Sequence, residues 1–214
     1  MKKYTHKPFF PFILLFCVFY QNTLGNTLVI YSSTKSLAIG KNITYFEDKL
    51  GRETIASIQH KPFVNPTESN KNLNFGVTSS VYWFKITTQN QSLQPLFLEI
   101  GEPVLDSITI FILRNKQLVK TKYAGIYVPW EKRDVQTNCH LINLALSEHQ
   151  TQTYYIRVHN SLPLLLPTRI GSAQAFLEDN HSKDLLQGMY LGVMLIMAFY
   201  NIIVTGKQIG RAHV

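Results

Sequence analysis

From residue 185 to residue 206 the chain carries no charged side chain, and most positions are Leu, Met, Ile, Val, Phe or Tyr. At the rise of an α-helix such a run crosses a hydrocarbon core of about 30 Å. It is apolar on every face and lies outside the strand-rich region, which separates it from the one-sided pattern of a helix packed on a soluble domain. The composition predicts a transmembrane helix over 185–206. Gly188 and Gly192 are four apart and share a face, so a second helix could approach there, while Asn201 supplies an amide that seeks a partner inside a bundle. Just before the run, Glu178, Asp179, Lys183 and Asp184 mark residues 173–187 as a helical or linking stretch at the aqueous boundary.

The other end also reads as a membrane signal. Lys2, Lys3 and Lys7 precede an apolar stretch over residues 9–20, which is followed by polar and small residues near Gly25. This is the layout of a secretory signal peptide over 1–25, too short and too interrupted by Pro8 and Pro11 for a spanning anchor. Part of the formal charge of +8 is therefore a targeting charge. The remaining Lys and Arg are scattered, with no basic stripe on any helix, so no nucleic-acid partner is expected. Cleavage removes Cys17 and leaves Cys139 alone, so an exported domain must rely on its apolar core and not on a disulfide. Residues 209–214 match the translation of a common sequencing adapter. They are expected to be an artefact, with the native sequence departing between Val204 and Ile209 in a truncated gene.

Between the ends, short alternating runs of β-branched and aromatic residues are separated by Asn, Gly, Pro and Ser. Strands are predicted at 27–30, 81–88, 96–100, 107–113, 117–121, 139–146 and 153–159. Ile108, Ile110 and Ile112 fall on one face of their strand, as do Tyr154, Ile156 and Val158. The fold class is all-β: a two-sheet sandwich over 26–179, followed by one transmembrane α-helix. Residues 49–76 read as mostly irregular, with a short turn or strand at 53–60. The proline-bounded run 162–167 reads as an edge strand.

Chemical signatures are sparse. The seven His residues show no metal-ligand spacing, and there is no nucleophile elbow, phosphate loop or cofactor motif. Glu99, Glu102, Asp106, Glu131 and Asp134 supply carboxylates, but nothing in their spacing selects a catalytic pair. Catalytic and metal residues are accordingly assigned to no position. The ligand-binding candidates are Tyr123, Tyr127 and Trp130, placed around Pro129 in a loop between strands, with Arg133 beside them. Rings exposed on a loop of a rigid sandwich can stack on a sugar or another flat ligand, although two of them could instead cap the sandwich edge. Trp83 alternates with Val81 mid-strand and is expected in a core. Arg133 and Arg157 are expected to pair with Glu99, Glu102 or Asp106.

The runs Leu73-Asn74-Phe75-Gly76 through Tyr82-Trp83-Phe84-Lys85, Leu105 to Phe111 and Tyr154-Tyr155-Ile156-Arg157-Val158 come in a telling order. They are followed by Gly188-Met189-Tyr190-Leu191-Gly192 and Tyr200-Asn201. Together they resemble the bacterial seven-transmembrane receptors with diverse intracellular signalling modules, over about residues 27–204, with Phe84 standing where the family pattern has Leu. The resemblance implies the second type of extracellular domain, a jelly roll related to carbohydrate-binding modules, plus the first membrane helix. It further implies six more helices and a cytoplasmic kinase or cyclase domain downstream. The expected role is the ligand-sensing region of a receptor in the bacterial inner membrane, its β domain in the periplasm, contacting lipid and a carbohydrate or other small ligand. The alternatives are a membrane-anchored carbohydrate-binding or adhesion protein without signalling output and, less favoured, a periplasmic glycosidase.

Overall fold

The computed structural model describes residues 27–32, 35–66 and 72–211. The signal peptide expected over 1–25 lies outside the described residues. Eleven strands are present among the described residues: β1 (Thr27–Tyr31), β2 (Ser36–Ala38), β3 (Thr44–Asp48), β4 (Asn72–Gly76), β5 (Val81–Gln91), β6 (Leu96–Ile100), β7 (Ser107–Arg114), β8 (Gln117–Ala124), β9 (His140–Asn143), β10 (Thr151–His159) and β11 (Leu164–Ser172). A short helix, α1 (Ile55–Ile58), and a long one, α2 (Ala173–Arg211), complete the fold.

Apart from the β7–β8 hairpin, which stays in one sheet, the last eight strands alternate between two antiparallel sheets, ordered β5-β10-β7-β8 and β4-β11-β6-β9. That order is a jelly roll. The first three strands extend it: β1, parallel, and β3, antiparallel, both join β5, while β2 joins β11. The alternation seen in the sequence sets the register. Ile108 lies opposite Val158, Ile110 opposite Ile156 and Ile112 opposite Tyr154. These rows face Leu98, Ile100, Leu166 and Ile170 of the second sheet in one continuous buried core.

The outer faces of the two sheets are also partly covered. Val81 and Trp83 point away from the main core and pack with Leu113, Tyr155 and Ile58, and with Phe46 and Phe63 at the rim. The segment that reads as irregular thus contains a lid for the first sheet. Its fold is local: buried Asp48 accepts from the backbone N–H groups of Arg52 and Glu53, and Thr54 and Ser57 form a capping box at the start of α1.

On the second sheet, Phe97 and Leu141 are covered by Phe176 from the first turn of α2. β11 passes into α2 with no intervening linker, Ser172 being followed directly by Ala173. The helix of 39 residues is about 58 Å long at 1.5 Å per residue. Its apolar stretch is long enough to cross a membrane and is not buried in the protein. The 173–187 stretch is therefore helix, continuous with the predicted span.

Two sequence expectations change here. The 162–167 run enters β11 at Leu164, and β11 is an inner strand flanked by β4 and β2 on one side and β6 on the other. Pro167 is tolerated there because it contributes its carbonyl, which accepts from Gly101 N–H at 2.8 Å. The predicted strand over 139–146 shortens to His140–Asn143, since Ala145 adopts a positive φ of 50° that ends the extended run.

Candidate functional site

The predicted aromatic loop begins inside a strand. β8 continues pairing with β7 as far as Ala124 opposite Ile108, so Tyr123 is a strand residue and not a loop residue. The strand stops at Gly125, whose φ is +111° and where an added Cβ would lie 2.6 Å from the Asp106 carbonyl oxygen. Only glycine fits this close approach. The chain then turns through Ile126, whose N–H donates to Leu105 O, and through a 3₁₀ turn over Trp130–Lys132 that follows Pro129.

The three rings do not form one platform. Tyr123 and Tyr127, 65% and 74% exposed, flank a groove of about 400 Å³ at the free edge of β8, together with Lys120, Lys122 and Lys132. Lys122 is paired with Asp134, which also accepts from the Asn143 N–H at 3.0 Å. Trp130 instead faces a separate, larger groove, and Arg133 stacks over its indole at 4.9 Å. The Arg133 Nε is buried without a hydrogen-bond partner. Arg133 thus braces Trp130, and among the described residues neither Arg133 nor Arg157 forms the expected ion pair with Glu99, Glu102 or Asp106.

The larger groove, about 1370 Å³, lies between the outer face of the second sheet and α2. Its floor holds an ion-pair chain that sequence reasoning missed. Glu99 and Arg169 sit directly opposite each other on β6 and β11. Arg169 Nε donates to Glu99 Oε2 at 2.6 Å, and its terminal nitrogen donates to Asp179 Oδ2 of α2, also at 2.6 Å. The same guanidinium lies 5.2 Å from the ring centre of Phe176. One arginine therefore ties a buried carboxylate of the sheet to the helix by charge and by ring contact. The Glu99 hydrogen bond raises the Arg169 pKa further above its ordinary value.

Cys139 closes the other side of Glu99, its Sγ donating to Oε1 at 3.3 Å. Burial, then the Glu99 charge, pushes the thiol pKa up, so it stays protonated and is a poor nucleophile. Asp106, another expected ion-pair partner, accepts from the N–H of Ser161 at 2.7 Å and from its hydroxyl. Among the described residues no group of three or more His, Cys, Asp or Glu is placed to hold a metal ion.

His140 sits opposite Ile100, buried, with neither ring nitrogen hydrogen-bonded. Burial, reinforced by the nearby Arg133 charge and opposed by the Pro103 carbonyl, lowers its pKa. Below the ordinary histidine value of about 6.5 the unfolded chain binds a proton that the folded chain resists, so stability falls as pH falls. Denaturant titrations of the chain in detergent between pH 7.5 and 5 are expected to show this loss, bounded by about 1.4 kcal/mol per pH unit for one proton. His140→Leu should remove that component. An unchanged pH profile in the variant would contradict the assignment.

On the helix, Gly188 and Asn201 are exposed and Gly192 partly so; an added Cβ at either glycine would touch nothing within 4 Å. The face shared by the two glycines is open among the described residues.

Compared with known families, residues 40–172 match the family model described as 7TMR-DISM extracellular 2, which covers the whole jelly roll. No curated protein matches the chain.

Proposed function

This chain belongs to the 7TMR-DISM extracellular 2 family, and we propose on that footing that it is the ligand-sensing part and first membrane span of a receptor in the bacterial inner membrane. The family is a non-catalytic sensory one, and with the apolar helix it fits a membrane protein whose β domain lies outside. In the proposal the β domain is periplasmic. Further membrane helices and a cytoplasmic output domain receive the signal, Gly188 and Gly192 provide a face on which a neighbouring helix packs, and Asn201, on the opposite side, offers its amide to another.

The observation that carries the reading is the direct passage of β11 into α2, with Phe176 and Arg169 holding the first helical turns on the sheet. A sensor works only if its ligand binds unequally to two arrangements of the sandwich and its attached helix against the further membrane helices, since equal affinity shifts no population. A helix continuous with an inner strand of the roll gives ligand-induced shifts a mechanical path. The ligand is a carbohydrate or another small molecule taken at the 117–134 edge, where Tyr123 and Tyr127 present exposed rings.

The test is a glycan array probed with the chain in lipid nanodiscs. The reading predicts a bound glycan whose signal falls at least fivefold with Tyr127→Ala or Tyr123→Ala. A bound glycan indifferent to loss of Tyr123, Tyr127 and Trp130 would move the site elsewhere, and an array without any bound member would remove the carbohydrate from the proposal.

A further inference from the structure

The edge groove carries more chemical information than its two rings. Three ammonium groups, those of Lys120, Lys122 and Lys132, line a space of about 400 Å³ whose only carboxylate is Asp134. Lys122 is spent on Asp134 and is largely covered, its side chain 10% exposed. Lys120 and Lys132 are exposed and make no ion pair among the described residues. The neighbouring Glu131 does not line the groove. A groove with an uncompensated double positive charge beside two exposed phenol rings is poorly matched to a neutral sugar.

We infer that this groove takes an acidic saccharide, with Tyr123 and Tyr127 stacking on the pyranose faces and Lys120 and Lys132 holding the carboxylates. The inference rests on the sensory reading above and names the ligand class of that site. Strand register supports the division of labour. Lys120 and Lys122 lie opposite Ile112 and Ile110, on the side of β8 that faces between the sheets, whereas Tyr123 lies opposite Thr109 on the other side. Lys120 and Tyr123 therefore project from opposite sides of the free edge strand, and Tyr127 and Lys132 of the following turn complete the groove. Charge attraction between exposed groups brings a polyanion in, and ring stacking selects a sugar over a simple ion.

Lysines on a free strand edge also deter pairing with another strand. A purely protective role predicts no binding, and an acidic peptide added along β8 is the competing occupant.

Calorimetry on the full chain in zwitterionic nanodiscs distinguishes these outcomes, using a galacturonic acid hexamer, its fully methyl-esterified counterpart and a hexaglutamate peptide. The inference predicts that the acidic hexamer binds at least tenfold more tightly than the neutral ester and than hexaglutamate. It also predicts that Lys120→Gln with Lys132→Gln weakens it at least tenfold, and that Tyr127→Ala weakens it at least fivefold. All of these side chains are exposed, so the variants keep the fold, which far-ultraviolet circular dichroism verifies. Equal binding of acid and ester, both sensitive to Tyr127→Ala, would overturn the charge assignment and leave the sensory reading standing. Tighter binding of hexaglutamate would overturn the saccharide assignment, and no binding of the acidic hexamer would overturn the inference outright.

Discussion

Arg169→Ala is expected to destabilise the folded domain by about 3 kcal/mol, because it leaves a buried carboxylate without its charge partner. Glu99 has a side chain only 6% exposed, and its other contact, the Cys139 thiol, is a weak donor. The figure is taken at the low end for broken buried pairs because the Arg169 side chain keeps 27% of its exposure. Urea unfolding of the chain in detergent, followed by circular dichroism, measures the loss. Arg169→Met combined with Glu99→Leu should recover most of it, since removing both charges also removes their desolvation. A single variant within about 0.5 kcal/mol of the parent, the usual range for exposed surface sites, would mean that water reaches Glu99 and that the pair is a surface feature.

Phe176→Ala is expected to cost a similar amount, about 3 kcal/mol, through the cavity left between α2 and the second sheet. The ring is fully buried against Phe97 and Leu141 and also lies beside the Arg169 guanidinium. Its loss removes the apolar half of the helix attachment and leaves the Asp179 ion pair to hold alone. The same urea titration reads the stability, and Phe176→Leu should restore more than half of it by refilling the space. A cost below about 1 kcal/mol would show that the first turn of α2 adds little to the domain.

What the sequence revealed follows from the range of the interactions concerned. Ile108, Ile110 and Ile112 announce their strand because alternation is a local signal, and the same holds for Tyr154, Ile156 and Val158. β3 hid because its Thr44, Tyr45, Phe46 and Glu47 are all half-buried, with no polar face to alternate against. β11 was misplaced to an edge because Pro167 signals a missing donor, whereas its neighbour Gly101 needs only an acceptor. Trp83 reads as core, but the sequence does not say which core: it packs under α1 on the outside of the first sheet.

The candidate site was legible in its residue types and not in their grouping. Tyr123, Tyr127 and Trp130 are all exposed, yet Gly125 and the 3₁₀ turn send Trp130 to a different groove. The Glu99–Arg169–Asp179 chain joins residues 70 and 10 positions apart, and only the register of β6 on β11 brings the first two together. No spacing rule could have found it. The absence of a charge from 185 to 206, by contrast, needs no tertiary context, and a helix long and apolar enough to cross a membrane was readable directly.

The central claim is that the sandwich and the membrane helix move as one body because β11, Phe176 and Arg169 leave no joint between them. The most direct measurement is the distance distribution between spin labels at Gln117→Cys on β8 and Asp184→Cys on α2, with Cys17 and Cys139 replaced by Ser, in nanodiscs. The account predicts one narrow distance in the parent chain, broadening when Phe176→Ala and Arg169→Ala are combined. A broad distribution already present in the parent, and unaltered by those substitutions, would contradict it.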